Sequence, residues 1–167
     1  MEIRPYESGD AEGLWQRKRD FELGLGSDTG GDDKLGKYEE KLDATYREEW
    51  LEWVERCVAE DDRCIIIATD ESADSRVDAV AGYAFMLPES HRFIWDAAVL
   101  NELYLSPAHR GTGVADDLME AVIEFARGQD LPLDRLVFDV DKENERAKAF
   151  YDRYGFEHWG EMVAREL

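Results

Sequence analysis

The sequence predicts one mixed α/β sheet flanked by helices, with elements in the order βααβββαβαββ. Three observations predict it. Apolar runs too short for helices stand at residues 64–68 (CIIIA), 77–87 (VDAVAGYAFML) and 97–105 (AAVLNELYL). Stretches with apolar residues at helical spacing lie before and after them. The length of 167 residues fits a single domain over 1–167, at about 150 residues per domain.

Residues 2–6 (EIRPY) read as a short strand ended by the turn ESGD. From Asp10, apolar Leu14, Trp15, Phe21 and Leu25 predict a helix closed by the glycines at 24 and 26. The glycine-rich, acidic stretch GSDTGGDDKLGKYEEK reads as a linker, and the wider segment 24–46 as a variable lid. Tyr46, Trp50, Trp53, Val54, Cys57 and Val58 line one face of a second helix, whose other face is charged.

The run 64–68 suits a strand covered on both faces, and Gly82 marks a bulge in the run 77–87, which Pro88 stops. After 97–105, SPAHRGTG breaks the pattern. A helix from Gly113 carries Val114, Leu118, Val122 and Phe125 on one side. Residues 136–140 (LVFDV) read as a strand, Asn144 opens a helix that Gly155 ends, and strands at 156–159 and 162–166 finish the chain.

Twenty Lys+Arg against 40 Asp+Glu give a formal charge of −20. That charge repels a phosphate backbone and argues against general nucleic-acid binding. A hydrophobic fraction of 44% excludes a disordered acidic tail. No run approaches about eighteen apolar residues, and the N-terminus MEIRPYESGD is not a signal segment. The expected location is cytoplasmic, with no membrane partner. Cys57 and Cys64 read as small buried hydrophobes, and His91, His109 and His158 lack ligand spacing, so no metal is expected. Lysine is confined to positions 18, 34, 37, 41, 142 and 148, while acid is spread along the whole chain. This suggests adaptation to concentrated salt, where a Debye length of about 3 Å at 1 M screens self-repulsion. An acidic surface recruiting a cationic partner is the competing explanation.

The chemistry centres on residues 101–119, NELYLSPAHRGTGVADDLM. Here a strand leads through Arg110, Gly111, Thr112, Gly113, Val114 and Ala115 into a helix. Glycines at a helix N-terminus let the backbone approach a ligand, and the first-turn amides suit a phosphate or pyrophosphate. Arg110 can add a charge-assisted contact. A P-loop needs Gly-Lys-Ser/Thr, where Gly113-Val114-Ala115 stands; a dinucleotide fingerprint needs Gly or Ala where Asp116 stands. A third reading is the Arg/Gln-x-x-Gly-x-Gly/Ala loop that grips the pyrophosphate of acetyl-coenzyme A, against a plain tight turn at the end of a strand.

A second motif follows an intervening strand: N-x-x-A-x-x-F-Y-x-x-x-G-F, from Asn144 to Phe156. With both motifs in this order, the chain resembles the GNAT superfamily of N-acetyltransferases, closely over 77–159 and loosely to both termini. The resemblance implies the GNAT fold and acetyl-CoA as acyl donor. It implies that the strand at Leu103, Tyr104 and Leu105 hydrogen-bonds the pantetheine arm, with the Leu105 amide as oxyanion donor. Arg110, Gly111, Thr112, Gly113, Val114 and Ala115 correspond to the pyrophosphate loop, Asn144 to a pantetheine contact, and Tyr151 to the general acid. Glu102, a carboxylate within an apolar run, is the candidate base, against acceptor binding or a structural role.

The expected activity is transfer of an acetyl group to a primary amine by direct attack in a ternary complex. Small amines (polyamines and aminoglycosides among them), protein N-termini and lysines all remain open as acceptors, as does a homodimer. Trp15, Trp50, Trp53, His91, Phe93 and Trp95 are candidate liners of the acceptor site, each with a core role as the blander alternative. A non-catalytic acyl-CoA sensor or interaction module of the same fold is the alternative function.

Overall fold

The computed structural model describes residues 1–28 and 31–165. Five strands form one sheet in the order β1-β2-β3-β4-β5. These are β1 (Glu2–Pro5), β2 (Ile65–Thr69), β3 (Val80–Met86), β4 (Ala98–Leu105) and β5 (Leu136–Val137). Neighbours run antiparallel except β4 and β5, which are parallel. The helices are α1 (Ala11–Asp28), α2 (Gly31–Lys41), α3 (Ala44–Glu60), α4 (Arg76–Ala79), α5 (Val114–Arg127) and α6 (Glu145–Asp152). The mixed sheet flanked by helices is the predicted fold class.

Helices cover both faces, which explains why β2 and β3 are apolar at consecutive positions rather than alternating. α1 packs on β3 and β4, and α3 reaches the same face, where Trp53 and Trp50 lie 4.7 and 6.4 Å from the Phe85 ring. α5 packs across β1 to β4 with Val114, Leu118, Met119, Val122 and Phe125 buried. Of the candidate acceptor-site aromatics, Trp15 and Trp50 belong to the core, and Phe93 and Trp95 are exposed.

The structure corrects several expected elements. α1 runs past Gly24 to Asp28, and most of the expected linker is α2, with residues 29–30 outside the described residues. Leu35, Tyr38 and Leu42 supply an i, i+3, i+7 stripe that outweighs the glycines there. Residues 76–79 form a helical turn capped by the Ser75 side chain, so the strand expected from 77 starts at Val80. The strand expected over 136–140 is reduced to Leu136–Val137. Of the two C-terminal strands, 156–165 contain none, and 166 lies outside the described residues. Strand propensity there meets a β5 that pairs with β4 only through Leu136 and Val137.

Two bulges shape the sheet. In β4, pairing passes from Phe85↔Glu102 to Met86↔Leu100, so Asn101 is the extra residue. This bulge divides Leu100 and Glu102 between opposite faces, where strict alternation places them on one. In β3, pairing passes from Ala68↔Gly82 to Thr69↔Val80, so the bulge expected at Gly82 falls one residue earlier, on Ala81. Gly82 itself answers a different need: a Cβ at this position lies 2.5 Å from the Tyr104 carbonyl oxygen. Glycine lets β3 and β4 approach.

Candidate active site

The open edge of β4 follows from its pairing. The Ser106 amide donates to the Ala81 carbonyl at 2.9 Å, on the β3 side. By antiparallel alternation the amides of Tyr104 and Glu102 also face β3, while those of Leu103 and Leu105 face away. Among the described residues, β5 reaches only Ala98 and Val99, so the edge beyond carries Leu103 and Leu105 without a strand partner.

Next to that edge, the 3-10 turn Pro107–His109 leads into Arg110-Gly111-Thr112-Gly113 and then α5. Gly111 and Gly113 have φ of 77° and 93°, a left-handed conformation that side-chain-bearing residues rarely adopt. Gly113 caps α5, and among the described residues no side-chain hydrogen bond closes the helix end. Among the described residues, the amides from Gly111 to Ala115 donate to no protein acceptor. The result is a row of free N–H groups at the positive end of a helix dipole, suited to a pyrophosphate. The Arg110 Nε donates to the Leu105 carbonyl at 3.1 Å, joining the loop to the β4 edge.

Glu102 stands in a buried network. Its side chain is 7% exposed, and Lys18 (4%) and Glu22 (7%) on α1 are buried beside it. Oε1 of Glu102 accepts from the Lys18 ammonium, and Oε2 accepts from the Tyr83 hydroxyl at 2.6 Å. Lys18 also pairs with Glu22 at 2.6 Å, and Lys41 of α2 reaches Glu22 at 2.8 Å. Burial lowers the Lys18 pKa, but attraction to Glu102 and Glu22, with their hydrogen bonds, outweighs it, and the net shift is upward. Glu22 shifts downward because Lys18 and Lys41 overcome its burial. Burial and then the Glu102 charge hold Tyr83 well above the ordinary tyrosine range. With a further bond from the Asn101 amide nitrogen to Oε1 at 3.4 Å, three of the roughly four acceptor sites of the ion-paired Glu102 are filled.

Lys18, Glu22, Tyr83 and Lys41 are site residues that the sequence reading misses. The available signal is Lys18 and Glu22 at i, i+4, set within the stripe Leu14, Trp15, Phe21 and Leu25.

Tyr151 and Asn144 lie on and before α6. The Asn144 side chain accepts from the Ala147 amide at 3.0 Å, so its oxygen caps the helix and its amide nitrogen is the group left for a ligand. Tyr151 sits among Phe138, Phe150 and Phe156, with ring centroids at 4.0, 5.3 and 5.8 Å. Burial pushes its hydroxyl up to about 12. α6 meets the start of α5 through Asp116, which accepts from Tyr154 at 2.6 Å and Arg153 at 3.0 Å. The structure therefore joins the loop to β4 directly and to α6 through Asp116. Among the described residues, no hydrogen bond links Tyr151 to Glu102.

A cavity of about 500 Å³ between α1, α2 and the end of β4 is lined by Asp20, Leu23, Leu35, Glu39, Tyr104 and Pro107, with Gly24. Cys57 and Cys64 are buried, and burial raises their thiols to about 11 and about 12, as inert core positions require. No helix among the described residues is long and apolar enough to cross a membrane.

The family model described as the acetyltransferase (GNAT) family matches residues 31–156. An uncharacterized N-acetyltransferase of Mycobacterium tuberculosis is 35% identical over 86 residues, covering 52% of this chain and 51% of that protein. A 5-NmdU N-acetyltransferase of Pseudomonas phage PaMx11 is 39% identical over 57 residues, covering 34% and 37%. The chain thus spans about half the length, or less, of these curated relatives. Among solved structures, the PaiA N-acetyltransferase of Thermoplasma acidophilum in complex with coenzyme A superposes with a TM-score of 0.70 at 18% identity, over 93% of this chain and 89% of that one. An aminoglycoside 6'-N-acetyltransferase of Acinetobacter haemolyticus gives 0.64 at 14% identity, over 100% and 98%. At these identities the structural likeness shows the fold.

Proposed function

The chain belongs to the GNAT acetyltransferase family, and from that premise we propose that it moves an acetyl group from acetyl-CoA to a primary amine by direct attack in a ternary complex. One observation carries the reading: the row of free amides from Gly111 to Ala115 opens α5 beside the unpaired edge of β4. Arg110 and these amides hold the pyrophosphate. Leu103, Tyr104 and Leu105 line the pantetheine arm, and the Leu105 amide donates to the thioester oxygen as negative charge develops on it. The Asn144 side-chain nitrogen adds a further pantetheine contact.

The acyl donor supplies an activated acetyl carbon and a thiolate leaving group. Tyr151 donates its phenolic proton toward that sulfur. Its burial keeps it fully protonated at neutral pH, and the same burial disfavours a charged thiolate. Glu102 accepts the amine's proton through water at its remaining lone pair, while Lys18 and Tyr83 hold the side chain in place. With Lys18 and Tyr83 bonded to its two oxygens, its share is set at the low end of the usual 100- to 10,000-fold, about 100-fold. The acceptor enters by the cavity beside Tyr104, where Asp20 and Glu39 favour a cationic amine.

A second reading, an acyl-CoA sensor of the same fold, is favoured by the occupied oxygens of Glu102. Thiol release from acetyl-CoA separates the two, measured against polyamines, aminoglycosides, amino acids and N-terminal peptides. Amine-dependent release establishes the transferase and its acceptor class. Tight cofactor binding with no release from any amine establishes the sensor.

A further inference from the structure

The turn before the cofactor loop carries a hydrogen-bonded chain that the proposed reaction does not use. The Ser106 hydroxyl lies 2.8 Å from His109 Nδ1, and His109 Nε2 lies 3.4 Å from Asp70 Oδ2. Asp70 stands just after β2, 39 residues away in sequence. Its other oxygen, Oδ1, accepts from the Ser72 amide at 2.9 Å and the Ser72 hydroxyl at 2.6 Å, and its own amide donates to Ala79 at 2.7 Å. Asp70 is therefore fixed on one side and offers Oδ2 to the ring. The Ser72 bonds, followed by the His109 bond, hold its carboxyl down at about 2, so the acceptor is ionised.

The arrangement contains serine, histidine and aspartate, but it is not built as a nucleophile. Ser106 is buried at 6% exposure, and His109 meets it three residues later through Nδ1 within a single turn. The backbone of His109 is engaged as well. Its amide donates to the Ser106 carbonyl at 3.0 Å, and its carbonyl accepts from the Thr112 hydroxyl at 2.6 Å. Ring, amide and carbonyl of one residue thus tie the ends of β4 and β2 to the middle of the loop. Among the described residues, the loop has one other hydrogen-bonded side-chain tie to the sheet, from Arg110 Nε to Leu105. Between the two ties and α5 stand Gly111 and Gly113, whose backbones are free to move in the absence of such restraint.

We propose that His109 is a positioning residue for the pyrophosphate loop, holding the Gly111–Ala115 amides convergent so that little ordering is left for ligand binding to supply. The proposal rests on the acetyltransferase reading above. It assigns Asp70 to orient the ring, with Nε2–H donating to Asp70 and Nδ1 accepting from Ser106. Its signature is confined to the pyrophosphate half of the donor, because the pantetheine arm is held by β4.

The test compares acetyl-CoA with S-acetylpantetheine, which has the same thioester and arm but no pyrophosphate. For His109→Ala, the Kd for CoA by calorimetry and the KM for acetyl-CoA are expected to rise about tenfold with kcat unchanged, the loss of one or two hydrogen bonds. Turnover of S-acetylpantetheine is expected to stay at the wild-type value. His109→Gln, whose amide nitrogen can still donate toward Asp70, is expected to recover part of the loss. Asp70→Asn is expected to weaken CoA binding less than His109→Ala and to add nothing to it. Melting temperatures identify any variant that fails to fold, and the milder His109→Gln and Asp70→Asn variants then carry the comparison. Equal loss toward both donors, or no loss toward either, overturns the positioning role alone. A wild-type chain that binds no CoA overturns the acetyltransferase reading and this proposal with it.

Discussion

The Lys18 ammonium on α1 and the Glu102 carboxylate on β4 form a buried ion pair across 84 residues of sequence. Glu22 lies on the far side of the same ammonium, and Lys41 beyond it, so two cations alternate with two carboxylates beneath the first two helices. The network fastens α1 and α2, which line the cavity beside Tyr104, to the strand that carries the candidate base.

Lys18→Met leaves Glu22 and Glu102 buried without their shared cation. It is expected to destabilise the fold by about 3–5 kcal/mol, read from urea unfolding. Lys18→Met combined with Glu102→Gln is expected to recover part of that loss, because the second charge is removed as well. Equal stability of the Lys18→Met variant and the wild type contradicts the buried pair.

The network also sets a pH window. Glu22 has a lowered folded pKa, so its contribution is present above the ordinary value of about 4.3 and is lost as pH falls through the folded value. Lys18 has a raised folded pKa, so its contribution is complete below the ordinary value of about 10.4 and is lost as pH rises through the folded value. Stability measured against pH is expected to hold between these limits. Glu22→Gln is expected to flatten the acidic fall, and an unchanged acid limb refutes the assignment.

Tyr151→Phe keeps the ring against Phe138 and Phe156 and removes only the hydroxyl. Activity is expected to fall about 100-fold, with melting temperature near the wild-type value. Because burial holds the hydroxyl up to about 12, no loss of rate from Tyr151 ionisation is expected up to about pH 10. A basic limb near pH 9 that disappears in the variant contradicts this environment for Tyr151.

Gly113→Ala places a Cβ at φ 93° where no protein atom lies within 4 Å. The cost is backbone strain of about 1–2 kcal/mol and an obstructed approach to the amides. The KM for acetyl-CoA is expected to rise about tenfold or more, while circular dichroism shows α5 intact.

Salt adaptation is testable in the same assay. With a net charge of −20 and an anionic donor, affinity for CoA is expected to hold or improve as potassium chloride rises to molar levels, where the Debye length is about 3 Å. A monotonic loss of affinity with added salt counts against it.

Much of the proposed cofactor side can be read without coordinates, because its residues are local in sequence. Arg110, Gly111 and Gly113 stand close together at a strand-to-helix turn, and free amides follow from helix geometry wherever no side chain caps the end. The apolar runs of β2 and β3 and the stripe of α5 likewise carry their periodicity within a few residues. Where local signals conflict, the sequence misleads. The glycines of 26–41 suggest a linker, yet α1 and α2 occupy most of it because Leu35 and Leu42 find neighbours. The expected C-terminal strands have the opposite fault, a suitable sequence without a matching edge beside it.

The linear chain determined the sheet class, the glycine loop that opens α5 and the aromatic helix of Tyr151, since each depends on residues near in sequence. Only the tertiary structure decided what surrounds Glu102. Its partners come from α1 and β3, and whether a buried carboxylate is free or paired depends on charges brought within hydrogen-bond distance from distant elements. The Asn101 bulge turns Glu102 toward them, and a bulge is a property of two paired strands rather than of either one alone.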